Sequence, residues 1–226
     1  MNIYLLVEGK RTEKKVYPLW LSFLTPQLSK VHAFDAVMRN TYYLFSSNGY
    51  PSILEHIEHA IQDINNVGLY DCFIICVDAD EVSIEERTQE IQQLIQNTPI
   101  TAKPVVIVQN RCIETWFLGN RKLCAVAPNN HPFIEYKRFY DVSKDDPELM
   151  EKPATFIFSI SQFHVEYLKQ MLKEKRLNYS KNDVHVVCQE AYVNELQRRV
   201  QETPHLKTLR EFFNFWKAIQ AELEQQ

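Results

Sequence analysis

Three short apolar runs punctuate the first half of the chain, and each gives way to acidic residues. Ile3–Val7 runs into Glu8 and Gly9, Cys72–Val77 into Asp78, Asp80 and Glu81, and Val105–Val108 leads through a polar turn to Glu114. Runs of this length, rich in β-branched residues and closed by polar turns, predict buried strands. Between them the spacing turns helical. Residues 12–24 carry apolar positions at helical intervals behind Thr12, an N-cap candidate, with Pro18 as a flaw because an interior proline removes a helical N–H. Residues 31–47 are β-rich, with an extra strand expected around Tyr42–Phe45. Residues 52–65 are amphipathic, with Ser52 and Glu55 as a capping box, and another helix is expected at about 84–97. The alternation β-α-β-α-β predicts an α/β fold, a mainly parallel sheet covered by helices.

Beyond Trp116 the regularity fades. Residues 119–155 contain Pro128, Pro132, Pro147 and Pro153 and a charged run from Lys144 to Glu148, which predicts a helical or irregular insertion. Helices are expected at 161–176, 189–201 and 205–224, the last with the FFNFW run at 212–216, together with Leu206 and Leu209, as a packing face. No repeat or low-complexity linker divides the chain. It therefore reads as a core over 1–115 and an α-rich elaboration over 116–226, an insertion and C-terminal helices packed on that core.

Composition narrows the functional classes. With 226 residues, 45% hydrophobic and 24% charged, the chain can bury a real core and is neither disordered nor fibrous. Its net charge of −4 lacks the positive balance of a dedicated nucleic-acid binder, although divalent ions can neutralise an acidic cluster and bridge it to phosphate. The first apolar run is short and ends in Glu8-Gly9-Lys10-Arg11, unlike a secretory signal, and no apolar stretch is long enough to span a bilayer. The five cysteines are odd in number and without Cys-x-x-Cys spacing. A cytoplasmic protein with no disulfides, no zinc and no membrane partner is expected.

The candidate chemistry lies in the carboxylates. Residues just past the carboxyl ends of parallel strands stand where open α/β sheets bind ligands. Asp78 and Asp80 can converge on one hard cation at a strand-to-loop turn, and oxygen-only ligands favour Mg²⁺ or Mn²⁺. The plainer alternative is that they cap the next helix or solvate a loop. Glu13 falls on a first helical turn, where the macrodipole favours a carboxylate in any case. Glu114, in an apolar context beside Trp116, needs a partner, either a metal or Arg111. Lys10, Arg11, Arg111 and Lys181 are the basic residues placed to hold a phosphate backbone. His56 and His59, three apart on a helix, make no metal-spaced pair.

The segments VEGKRTEKKVY, CVDADE and VQNRCIETWFL together resemble the TOPRIM domain of RloB-like and related overcoming-lysogenization-defect nucleases. The resemblance covers the first half of the chain well and the second half thinly. It implies a TOPRIM-like (Rossmannoid) sheet and an Mg²⁺- or Mn²⁺-dependent nuclease hydrolysing phosphodiester bonds of DNA or RNA. By the same resemblance Glu8, Asp78 and Asp80 are catalytic and metal-binding, Glu13 and Glu114 are further ligands, and Lys181 stands near the metals. An antiphage defence role with an ATPase partner is implied likewise. Two rivals remain, a non-catalytic TOPRIM-like regulatory or partner-binding subunit and a nucleotide-sugar transferase using Asp-x-Asp.

Overall fold

The structure, a computed structural model, describes residues 1–225. It divides into two compact units, one of residues 1–77, 83–108 and 214–226, the other of 78–82 and 109–213. The division differs from a single cut after residue 115, because the chain leaves the first unit for the loop at 78–82, returns, and comes back to it at the C-terminus.

The first unit is built on a parallel sheet of five strands, β1 (Asn2–Val7), β2 (Ser29–Val31), β3 (Thr41–Ser46), β4 (Cys72–Asp78) and β5 (Lys103–Gln109), in the order β2-β3-β1-β4-β5. β1 is central, pairing with β3 from Asn2↔Thr41 to Val7↔Ser46 and with β4 from Ile3↔Cys72 to Val7↔Cys76. Ile3, Leu5, Leu6 and Val7 on β1 and Phe73, Ile74 and Ile75 on β4 are all fully buried. That unbroken burial is what a parallel strand covered on both faces requires. The helices α1 (Glu13–Leu24), α2 (Ser52–Val67) and α3 (Ile84–Gln96) bury one stripe each, for example Ile53, Ile57, Ile61 and Ile64 on α2. The short edge strand β2 lies almost wholly ahead of the 31–47 stretch and was not expected, because three residues give no alternation to read.

Helix starts depart from the sequence expectations. Pro51, not Ser52, holds the N-cap position of α2 with no side-chain cap bond, so the expected Ser52/Glu55 capping box is absent. The preceding turn does its work: Ile53 N–H donates to the Gly49 carbonyl at 3.1 Å and Leu54 N–H to that of Pro51 at 3.0 Å, satisfying amides that a Ser52 side chain would have served. Thr12 does sit at the N-cap of α1, but its side chain makes no cap bond; its carbonyl accepts from Val16 N–H at 2.9 Å. Pro18 lies inside α1, where buried Val16, Tyr17, Trp20 and Leu21 hold the helix together through the interruption. A capping box does form in this unit between Ser83 and Glu86 on α3.

The second unit is helical, with α4 (Ile113–Phe117), α5 (Phe133–Phe139), α6 (Ile160–Glu174), α7 (Glu190–Glu202) and the first part of α8 (Lys207–Glu224). Trp116, Phe117, Phe133, Phe163, Tyr167 and Phe212 are fully buried in it. Among the described residues no helix is long and apolar enough to cross a membrane.

A buried acid, Glu148, receives the start of α8. Glu148 accepts from the Thr208 N–H at 3.0 Å and from the Thr208 hydroxyl, which in turn accepts from the Trp116 indole N–H at 2.8 Å. Burial pushes the Glu148 carboxyl up to about 7, opposed by the Thr208 hydrogen bonds and helped by nearby Asp146. Because the folded value lies above that of an unfolded glutamate, the folded state holds a proton that the unfolded chain has released. Its stabilising contribution is therefore complete below about pH 4.5 and lost as pH rises to about 7. We expect wild-type stability to fall by up to about 3 kcal/mol across that window. Glu148→Gln should flatten the fall, as measured by urea unfolding at pH 4.5, 6 and 7.5. Parallel profiles for the two proteins would show that Glu148 is not the titrating group.

Candidate functional site

The acidic loop after β4 is held in an unusual backbone path. Asp80 has φ of 52° and Arg111 φ of 61°, both left-handed, a region that costs a side-chain-bearing residue free energy unless its surroundings impose it. Here they impose it reciprocally: Asp80 N–H donates to the Arg111 carbonyl at 2.9 Å, and the Arg111 guanidinium donates to the Asp80 carbonyl at 3.2 Å. Ala79 N–H donates to Gln109 O at 2.9 Å, which continues the strand ladder up to the loop. The beginning of α6 completes the clamp. Ser161 Oγ donates to Asp80 Oδ1 at 3.0 Å, and Ile160 N–H donates to Glu81 Oε1 at 2.8 Å. Glu81 thereby caps α6, leaving Asp78 and Asp80 as the loop acids on the wall of a cavity.

That cavity measures about 870 Å³, and Lys181, Ser161, Gln162, Phe156 and Phe158 share its wall with the two aspartates. Three residues named from sequence, Asp78, Asp80 and Lys181, are thus brought together. The other charged groups on the wall, Glu166 and Lys169, lie 3.7 Å apart as an ion pair, so the unbalanced charge comes from the aspartates against Lys181. Cys112 also lines the cavity, but burial, with Glu114 and Asp78 close by, pushes its thiol well above the ordinary range. At neutral pH it is a thiol and not a nucleophile. His164, adjacent in the core, is held neutral, with burial lowering it to about 4; Thr115 Oγ1 lies 2.7 Å from its Nδ1 and the Met150 carbonyl 2.9 Å from its Nε2. A general base is therefore not to be sought there.

The remaining sequence candidates are placed differently. Glu114 is 1% exposed, and its carboxylate receives the Tyr179 hydroxyl at 2.8 Å; it is not on the cavity wall. Arg111, one of the two partners expected for it, instead meets Glu151 at 3.2 Å. Glu8 and Glu13 belong to the first unit, and Lys10 and Arg11 there are exposed. Glu8 follows β1 and is wrapped by the turn after β3: its carboxylate accepts from Tyr50 N–H at 3.1 Å, and its carbonyl accepts from Gly49 N–H at 3.1 Å and Ser47 Oγ at 2.8 Å. Gly49 has φ of 98°, which the turn can adopt only with glycine. Arg87 sits 3.9 Å over the Tyr50 ring and binds Glu90 at 2.6 Å, and Glu90 also takes the Tyr50 hydroxyl, so Tyr50 is fixed from three sides. Gly9, unlike Gly49, has no left-handed backbone and is closely approached by a side chain. A Cβ there would run into the Glu13 carboxylate, which lies directly over the Gly9 backbone.

Sequence reading passed over Ser161, Gln162, Phe156 and Phe158. Only a local signal pointed to them. Ser159 and Gln162 form a reciprocal capping box, which starts α6 one residue before the position expected. The apolar Phe156-Ile157-Phe158 immediately before it had no partner in the pattern.

For a divalent ion the donor set fits one mode of binding. Among the described residues no group of three or more His, Cys, Asp or Glu side chains is gathered as a metal site. The cavity does offer two carboxylates, and Mg²⁺ is commonly held by one or two carboxylates with water and substrate phosphate completing the octahedron. Comparison with known proteins adds no constraint: no family model matches the chain, and no curated protein or solved structure is significantly similar to it.

Proposed function

We propose that the protein is an Mg²⁺- or Mn²⁺-dependent hydrolase of phosphodiester bonds in nucleic acid, working at the cavity lined by Asp78, Asp80 and Lys181. The observation that carries this reading is the presence of two oxygen-donor side chains and one ammonium on a single cavity wall, at the end of a strand of a parallel α/β sheet. Asp78 and Asp80 would hold the ion. When bound, it would polarise the phosphoryl oxygens and acidify a water. Ser161 fixes the rotamer of Asp80, and Lys181 supplies positive charge for the phosphate's non-bridging oxygens. The resemblance to TOPRIM nucleases supports the same reading, and an antiphage role with an ATPase partner rests on that resemblance alone. All five cysteines are free and buried, in keeping with a reducing cytoplasm. Glu8, Glu13 and Glu114 are not among the residues lining that cavity and have no part in this chemistry.

Without an ion the aspartates outnumber Lys181 and should repel phosphate. Binding of a fluorescent oligonucleotide is therefore expected to be weak in chelator, to strengthen about tenfold or more with Mn²⁺, and to weaken with salt. Cleavage should appear only with the ion. Equal affinity with and without Mn²⁺, and no cleavage, would leave the regulatory-subunit reading in its place, with Lys10, Arg11 and Arg111 as the first residues to examine.

A further inference from the structure

We infer that the same cavity takes a nucleotide whose base has left any duplex and stacks on Phe158, which makes single-stranded nucleic acid the substrate class. The inference rests on the reading of Asp78 and Asp80 as the phosphate-binding part of the cavity, and adds what the aromatic part of its wall recognises.

Phe158 is 55% exposed while lining the cavity. A large aromatic left half in water beside charged groups gains from a flat apolar partner that carries a negative charge nearby, and a nucleotide has that chemistry. The ring is not loose. Phe156 meets it edge-on at 5.8 Å and is itself anchored on buried Phe163 at 5.2 Å, so the platform is tied to the core of the helical unit. Lys152 donates to the Phe158 carbonyl, and the Ser159/Gln162 capping box sets the chain direction immediately after it. Within that box the Gln162 amide oxygen is engaged by Ser159 N–H at 3.1 Å, which orients its NH₂ group as a donor on the same wall.

Size argues against a phosphate alone. A cavity of about 870 Å³ lies in the range of about 300–1,000 Å³ that encloses whole organic ligands. A base paired in a duplex has both faces covered by its neighbours, so only an unpaired base can offer a face to Phe158.

The test uses the full chain in Mn²⁺ with three probes: a short single-stranded oligonucleotide, the same strand with abasic positions, and the matching duplex. Phe158→Ala is expected to weaken binding of the intact strand by about tenfold and to leave the abasic strand unaffected, while Phe158→Trp retains wild-type affinity. Because Phe158 is half exposed, unfolding of the variant is readily excluded by its thermal melt. Unchanged affinity in Phe158→Ala, or equal binding of intact and abasic strands by the wild type, would overturn the stacking inference. If the wild type still cleaves in that case, the hydrolase reading survives it. Conversely, a Phe158-dependent preference for the intact strand without any cleavage would uphold stacking and remove the hydrolase reading.

Discussion

Asp80→Asn should reduce Mn²⁺-dependent cleavage by on the order of 10²–10³-fold while leaving the fold intact. Its carboxylate is on the cavity wall, and one oxygen already receives Ser161 at 3.0 Å, so the asparagine can keep that hydrogen bond and the loop geometry. What it removes is the negative charge that, in the proposed chemistry, would attract the ion. Losses of 10²–10³-fold are typical when a preorganised electrostatic contact to the reacting centre is deleted. Asp78→Asn should behave alike. Removing either charge relieves repulsion between like charges, so the melting temperature should stay near that of the wild type. Ser161→Ala provides a graded control: it leaves both charges in place, frees the Asp80 rotamer, and should cost less than either aspartate variant. Full cleavage by both Asp78→Asn and Asp80→Asn on single-stranded and plasmid substrates would take this loop out of the chemistry.

Arg199→Met should destabilise the helical unit by about 3–5 kcal/mol, in the range for stripping the partner from buried polar groups. Arg199 is fully buried on α7. Its guanidinium donates to the carbonyls of Gly119 at 3.2 Å, Val142 at 2.7 Å and Asp145 at 2.8 Å, three points on the long irregular segment between α4 and α6. Burial, with Arg121 nearby, lowers it only to about 10, so it stays charged at neutral pH. Methionine fills similar volume but donates nothing, and the three carbonyls are left without that donor. Guanidinium unfolding followed by circular dichroism reads the loss directly. A change below about 1 kcal/mol would mean that these carbonyls find other donors, and that the segment is held by its apolar contacts instead.

Much of the architecture was legible because it follows from local periodicity. The runs at Ile3, Cys72 and Val105 are β1, β4 and β5 almost residue for residue, and the patterns at 84–97, 189–201 and 205–224 are helices. Their alternation settled the parallel α/β class, since a crossover helix between successive strands leaves little else. Cap positions were less legible. Ser52 is a good N-cap by residue type, yet carbonyls of the preceding turn had already satisfied the helix amides. The short helix α4, around Glu114, was hidden because five residues give no period to read.

The candidate site divides along the same line. The sequence by itself determined that Asp78 and Asp80 close a buried strand, because an apolar run must end where carboxylates begin. Only the tertiary structure decided which other residues meet them. Lys181 and Phe158 come from segments about 100 and 80 positions downstream, and nothing in local spacing encodes a cavity wall shared by residues so far apart in the chain. The same long-range packing turned Glu114 toward Tyr179. A carboxylate's position along the chain shows that it must find a partner; which partner it finds depends on what the rest of the fold carries to it.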